Sequence, residues 1–128
     1  MAIHNVQIGS NDDGKGRTSL LPDSNPGGAA DFRVPVGKKW AITTILFCNT
    51  GIEDPDTPNS DLTYLSLHFV KGGEPAGDKN LVLNAIPIPG GETFTFDTEK
   101  IILEENDLVY ALTTSPEVIS ATISYLEV

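Results

Sequence analysis

The sequence predicts an all-β protein: an antiparallel sandwich of two sheets with either a jelly-roll or an immunoglobulin-like topology. One observation is that turn residues interrupt short β-branched or alternating apolar runs about every eight to twelve positions. A second is that no segment keeps a helical period of 3.6 residues over more than a few positions. A third is that residues 91–128 contain four alternating apolar runs separated by turns, a pattern typical of a β-meander.

The first 30 residues are rich in turn formers and have room for only short strands. Residues 3–8 mix polar and apolar side chains, and residues 9–16 that follow are mostly Gly, Asn, Asp and Ser. We therefore predict a loop-rich N-terminal arm or edge strand over residues 1–30 and a sandwich domain over residues 31–128. In the arm alternative, the apolar side chains available to bind a partner are those of Ile3, Val6 and Ile8. In the other, residues 3–8 are the first strand of the domain's own sheet.

Four further strands are predicted between residues 31 and 89. Residues 32–36 are extended, and residues 39–48 form a β-branched and aromatic run that suits a central strand. Alternation over residues 62–70 places Leu65, Leu67 and Phe69 on one face, which should point into the core. Residues 80–89 are apolar, with two prolines that end ladder hydrogen bonding.

The last four strands are predicted over residues 91–96, 100–103, 108–112 and 118–125. Alternation along all the strands then indicates which side chains point between the two sheets. This predicted core comprises Trp40, Ile42, Leu46, Leu65, Leu67, Phe69, Phe94, Phe96, Leu108, Tyr110, Leu112, Ile119, Ala121, Ile123 and Tyr125.

Composition disfavours several function classes. Eighteen acidic against eight basic residues give a formal net charge of −10, which opposes binding to a nucleic-acid backbone. The apolar stretches fall far short of the roughly 18 residues that suggest a membrane span, and the N-terminus lacks the pattern of a secretion signal. The single cysteine, Cys48, cannot form an internal disulfide. We expect a soluble protein without a nucleic-acid or membrane partner.

Catalytic and metal-binding residues are few. His4 and His68 are the two possible general bases, and a nucleophilic pair of His68 with Cys48 requires their strands to lie side by side with both groups on one surface. No activating motif surrounds either residue, so we predict that the protein is not an enzyme and has no catalytic residues.

We also predict no cofactor and no metal ligands, with one alternative. Glu53, Asp54, Asp56 and Asp61 bring carboxylates into one loop, as calcium sites do, although their spacing is not that of an EF-hand. The polar run over residues 11–16 is a weaker candidate, because Lys15 stands where a ligand would be expected. A sugar-binding module is a further alternative. It needs exposed rings, and Tyr64, Tyr110 and Tyr125 are the few possible candidates.

Four segments carry a family resemblance. The segments are residues 34–51, with their Val-Pro-Val-Gly-Lys start and Asn-Thr-Gly end, and residues 65–70, 86–94 and 102–108. Together they resemble small all-β structural proteins of tailed bacteriophage virions, over about residues 31–128. The shared residues are turn formers and strand ends, so the resemblance concerns the fold more than the activity.

The resemblance implies a non-catalytic virion protein assembled in the host cytoplasm. It favours a capsid decoration or cement subunit, with a neck, collar, tail or baseplate accessory protein as the alternative. The implied partners are phage capsid or neck and tail proteins. Self-association into a homo-oligomer is expected, because such particles are symmetric.

Overall fold

The protein is a sandwich of two antiparallel sheets, as the sequence predicts. The computed structural model describes residues 2–9, 18–22, 32–52, 54–57, 61–72, 74, 77–115 and 118–128, but not the side chains of residues 78 and 98–100. The eight strands in these ranges are β1 (Ala2–Gln7), β2 (Thr18–Ser19), β3 (Trp40–Asn49), β4 (Thr63–Val70), β5 (Leu81–Ile88), β6 (Thr93–Leu103), β7 (Leu108–Thr113) and β8 (Ile119–Glu127). Within the described ranges, a three-residue 3₁₀ helix, Asp78–Asn80, precedes β5, and no helix could span a membrane.

The strand order is that of a jelly roll. Sheet 1 has the order β1-β8-β3-β6 and sheet 2 the order β2-β7-β4-β5. The chain therefore pairs first strand with last, second with seventh, third with sixth and fourth with fifth, as if one long hairpin were rolled up. Of the two predicted topologies, this eight-stranded order corresponds to the jelly roll.

Two turns of the same type begin a strand of sheet 1. Lys38 N donates to Pro35 O, and Glu92 N donates to Pro89 O, so each turn starts at a proline. Gly37 and Gly91 hold the third position of these turns, each with φ of 81°. A positive φ at this position defines a type II turn and favours glycine. The Pro-x-Gly spacing in the segments that carry the family resemblance thus encodes turn geometry.

The core lies between the sheets, and the prediction of its members is partly confirmed. Trp40, Leu65 and Leu67 are buried there, and Phe69 of sheet 2 meets Phe96 of sheet 1 with ring centroids 5.9 Å apart. Among the described residues, the buried members of this core are Val6, Ile8, Leu20, Leu21, Val34, Trp40, Ile42, Ile45, Phe47, Leu65, Leu67, Ile88, Leu103, Val109, Ala111, Ile119, Ala121 and Ile123.

The prediction of Leu46 as a core residue is wrong. Alternation in β3 places Trp40 and Ile42 inward, but the register shifts between Ile42 and Thr44 against both neighbouring strands. An irregularity of this kind moves every later side chain to the other face. Ile45 is consequently buried, and Leu46 is 39% exposed on the outside.

The predicted inward face of β7 is also wrong. Val109 and Ala111 point between the sheets, whereas Leu108 and Tyr110 form a second buried cluster with Val70, against which Leu112 packs. β7 lies between β2 and β4 and is apolar on both faces, so alternation alone could not choose between them.

The number of strands differs slightly from the nine expected. Residues 32–36 form no strand, although Val34 exchanges backbone hydrogen bonds with the β6–β7 turn. The runs at 91–96 and 100–103 belong to one strand, β6, whose polar centre lies at a sheet edge. An edge strand tolerates such an interruption because one of its sides faces solvent.

Candidate interaction surface

The candidate functional surface, which we call face 1, is the part of the outward-facing side of sheet 1 where all four strands are paired. It consists of three rows of side chains that cross the strands in the order β1, β8, β3, β6. The rows are Gln7, Ser120, Cys48 and Thr93; Asn5, Thr122, Leu46 and Thr95; and Ile3, Ser124, Thr44 and Asp97.

Face 1 is nearly free of charge. Asp97 is the one Asp, Glu, Lys or Arg among its twelve positions, although charged residues make up 20% of the whole chain. Ser and Thr occupy six positions, three on β8, one on β3 and two on β6. Depletion of Asp, Glu and Lys is a feature of the buried centre of a protein–protein interface.

Leu46 lies at the centre of face 1. Its neighbours across the ladder are Thr122 of β8 and Thr95 of β6, and it occupies the outer face because of the register shift at Thr44. Thr122 Oγ1 donates to Asn5 Oδ1 at 2.9 Å, which links the side chains of β8 and β1 in the same row. The row thus combines one exposed apolar group with fixed hydrogen-bonding groups.

Part of face 1 can be recognised in the sequence, although a search for apolar periodicity does not find it. Residues 120, 122 and 124 are Ser, Thr and Ser, and residues 93 and 95 are both Thr, each at the positions between core residues. A search for small hydroxyl residues at the outward positions of β6 and β8 finds five of the twelve positions of face 1. The central position of Leu46 has no such signal, because it depends on the register shift.

The predicted partner-binding residues of the N-terminal segment are separated by the fold. Residues 2–7 pair with β8 along the edge of sheet 1, which is the edge-strand alternative. Val6 and Ile8 belong to the core, so neither is available to a partner in this structure, whereas Ile3 is 65% exposed on face 1. Residues 10–17 and 23–31 lie outside the described residues, so the division of the chain at residue 30 stays a prediction.

The Cys48–His68 pair does not form. Cys48 is half-buried on face 1, and His68 lies in β4 of sheet 2 with the outward-facing Val70 and Tyr110. The two groups are thus on opposite outer surfaces of the sandwich. His68 stacks on Tyr110 with centroids 4.6 Å apart, and its Nδ1 lies 2.9 Å from Asn80 Oδ1. These contacts place the imidazole in a packed cluster rather than beside a nucleophile.

The acidic loop shows local turn structure. Asp54 Oδ1 accepts a hydrogen bond from Asp56 N at 2.9 Å, and Asp61 O accepts one from Asn49 Nδ2 at 2.7 Å. No group of three His, Cys, Asp or Glu that could hold a metal ion occurs in the described part of the chain, which omits Glu53 and residues 11–16.

A polar cavity of about 340 Å³ lies beside the β6–β7 turn. It is lined by Lys71, Gly72, Ile102, Glu104, Glu105 and Asp107. Both carboxylate oxygens of Asp107 accept backbone N–H groups, from Gly72 and Glu104, at 2.9 Å. The Asp107 carboxylate therefore joins two loops, which is a structural role.

Of the three tyrosines predicted as candidates for sugar binding, one is well exposed. Tyr64 is 42% exposed, Tyr110 is buried, and Tyr125 packs edge-on against Trp40 with centroids 6.1 Å apart. A single exposed ring offers little for stacking against a carbohydrate.

Comparisons of this chain with protein-family models, with curated proteins and with solved structures found no match.

Proposed function

We propose that this protein is a non-catalytic structural subunit of a tailed-phage virion that docks through face 1, most simply as a capsid decoration or cement subunit. The observation that carries the proposal is the absence of charge from face 1, Asp97 excepted, on a protein of net charge −10. Charge depletion is what distinguishes the buried centre of an interface from the rest of a protein surface.

The fold and the family resemblance support the same role. Jelly rolls form many viral capsid domains, although lectins and cupins also use them, so the topology is compatible with the proposal without selecting it. The face of a four-stranded sheet suits a large particle surface, because hydrogen-bonding groups and the apolar residues Ile3 and Leu46 are presented together over a broad area.

Attachment at the neck, collar, tail or baseplate is the second location, since the resemblance covers accessory proteins there as well. The partner is then a neck or tail protein, and face 1 keeps the same function. Sugar binding is the third candidate, and Tyr64, which is 42% exposed, is the ring it would use.

The test is co-sedimentation with heads and with tails purified separately from the phage that encodes the chain. Leu46→Lys places a charge at the centre of face 1, and we expect it to abolish sedimentation with the particle that the unmodified protein joins. Ile52→Lys is the matched control, because Ile52 is also exposed, at 84%, but lies in a loop outside sheet 1. Unfolding curves of both variants should match the parent, as expected for exposed positions.

The outcomes separate the candidates. Binding to heads supports decoration, and binding to tails supports the accessory role. Particle binding that survives Leu46→Lys contradicts docking through face 1. A protein that ignores both particles but binds polysaccharide, and loses that binding in Tyr64→Ala, replaces the structural proposal with the sugar-binding one.

A further inference from the structure

The two sheets have four edges, and an exposed edge is a template for pairing with another strand. The edge strands are β1 and β6 in sheet 1, and β2 and β5 in sheet 2. Natural proteins protect such edges with short strands, prolines, charges or irregularities. Three of the four edges have protection of this kind.

Each of the three protected edge strands is kept from pairing in a different way. β2 is only two residues long. β5 contains Pro87, and its register against β4 shifts at two places, near the positive φ of Ala85. β6 includes the charged residues Asp97, Glu99 and Lys100 in its sequence, and its register against β3 is also irregular.

The edge at β1 has none of these features. Its six residues, Ala2–Gln7, include no Pro, Gly, Asp, Glu, Lys or Arg, and they keep one register against β8 throughout. Among the strands of the described residues, β8 is the one neighbour of β1. Unlike the other three edges, this edge is long, regular and neutral.

Backbone geometry shows which groups of β1 face outward. Ile8 N donates to Ile119 O, in continuation of the β1–β8 register. In an antiparallel pair, hydrogen-bonded and non-hydrogen-bonded positions alternate, so His4 and Val6 bond to β8. The N–H and C=O groups of Ile3 and Asn5 therefore point away from β8, to the side of β1 on which no strand of the described residues lies.

We propose that a second copy of this chain pairs its β1 antiparallel to β1 of the first, about a two-fold axis, and joins the two copies of sheet 1 into one eight-stranded sheet. This inference deepens the proposed function and rests on it. Antiparallel pairing of a strand with itself is compatible with two-fold symmetry, so one surface serves both partners.

Charge favours a second copy as the occupant. Each copy has a net charge of −10, so most approaches of two copies are repulsive. The β1 edge and the adjoining face 1 include one Asp, Glu, Lys or Arg, which is Asp97 on the far strand β6. Pairing there keeps the acidic surfaces apart and makes the two copies of face 1 continuous.

Proline substitutions at neighbouring positions of β1 test the pairing, because successive residues direct their N–H groups to opposite sides of the strand. Ile3→Pro removes an N–H that points away from β8 and leaves the β8 ladder intact. We therefore expect the dimer to weaken at least roughly tenfold, and the melting curve to be unchanged at protein concentrations where both proteins are monomeric. His4→Pro is the control, because it removes an N–H that bonds to β8 and should lower the melting temperature. Sedimentation equilibrium measures the dimer, and an equal dissociation constant for the unmodified protein and Ile3→Pro overturns the proposal.

A cysteine scan gives an independent readout in variants that need no proline. The parent contains one cysteine, so Cys48→Ser provides a cysteine-free background. Cysteine introduced at Ile3 or Asn5 should form disulfide dimers under mild oxidation much faster than cysteine at Val36, which is 86% exposed and lies outside β1, in the turn before β3. Rates no higher than that of the Val36→Cys control contradict β1 pairing.

The failure of this inference is distinguishable from failure of the proposed function. A dimer that depends on β1 but binds neither heads nor tails sustains the inference and removes the virion role. Particle binding by a monomer that shows neither the proline effect nor the crosslinks sustains the role and overturns the pairing.

Discussion

Asn49 offers the most direct test of how the end of the sandwich is held together. It is the last residue of β3 and is fully buried. Its Nδ2 donates to Asp61 O at 2.7 Å and to Ile88 O at 2.9 Å, and its Oδ1 accepts from Gly51 N at 2.9 Å. One side chain thus joins sheet 1 to the end of β5 in sheet 2 and to both ends of the loop between β3 and β4.

Asn49→Ala removes all three bonds and leaves two carbonyls and one N–H without these partners. An unsatisfied buried polar group costs about 1–3 kcal/mol, and less where water can reach it. The Ile88 bond is buried and the other two are partly buried, so we expect a loss of about 3–5 kcal/mol. A domain of this size is stable by about 5–15 kcal/mol, so the variant should fold but melt roughly 10–20 °C lower.

Urea unfolding followed by Trp40 fluorescence measures the change, since that indole is buried in the core. Asn84→Ala is the matched control, because Asn84 is exposed on β5 and surface substitutions usually change stability by less than about 0.5 kcal/mol. A loss at Asn49 no larger than at Asn84 would show that water replaces the three bonds at little cost, and would refute the role of this side chain as a clamp.

Three further substitutions test local features of the fold. In urea unfolding, Ile45→Ala should lower the free energy of unfolding by about 2–5 kcal/mol and Leu46→Ala by less than about 1 kcal/mol. The register shift buries Ile45 and exposes Leu46, so the reverse order would contradict the shift. Ala85→Gly should raise the melting temperature, because Ala85 has φ of 52° and the left-handed region costs a non-glycine residue about 1–2 kcal/mol. A lower melting temperature would show that the conformation of Ala85 carries no such strain. Tyr110→Ala should cost about 3 kcal/mol or more by calorimetry, because the ring is buried on the outer side of sheet 2 and stacks on His68; a loss below 1 kcal/mol would mean that the cluster contributes little.

Local sequence signals predicted the strands and turns well. Pro35 and Pro89, each followed two residues later by glycine, mark turns that the structure contains, and the Glu104–Asp107 turn closes with a backbone hydrogen bond of 3.1 Å. Such features depend on a few adjacent residues with restricted backbone angles, so the sequence states them directly.

Side-chain orientation was predicted less well where alternation is ambiguous or interrupted. β7 is apolar at successive positions, so Val109 and Tyr110 were equally plausible core residues until the position of β7 in sheet 2 was known. The shift at Thr44 occurs in a run without Gly or Pro, and nothing in its residues distinguishes it from a regular strand. Both errors arise from tertiary context, which decides burial when local pattern does not.

The same limitation explains why the candidate surface escaped prediction. Ile3, Leu46 and Thr122 are distant in sequence and share face 1 only because β1, β8 and β3 are neighbours. An arm was expected to carry partner binding through Ile3, Val6 and Ile8, but alternation in β1 sends Val6 and Ile8 into the core and Ile3 outward. In the proposed docking and pairing, β1 contributes its edge and one face rather than a free segment.

The position of β1 also connects docking with the stability of the sandwich. With β8 as its one neighbour among the described strands, β1 has fewer backbone hydrogen bonds to lose on local opening than β3, which pairs on both sides. Amides of β1 that bond to β8, such as those of His4 and Val6, should therefore exchange faster than those at the centre of sheet 1. A second β1 on the free edge would protect Ile3 and Asn5 directly, and by mass action it would also slow exchange at His4 and Val6. Docking through the side chains of face 1 leaves the outward amides of Ile3 and Asn5 without a bond to the partner. Protection against hydrogen exchange that rises with protein concentration, at Ile3 and Asn5 as well as at His4 and Val6, is therefore specific to edge pairing.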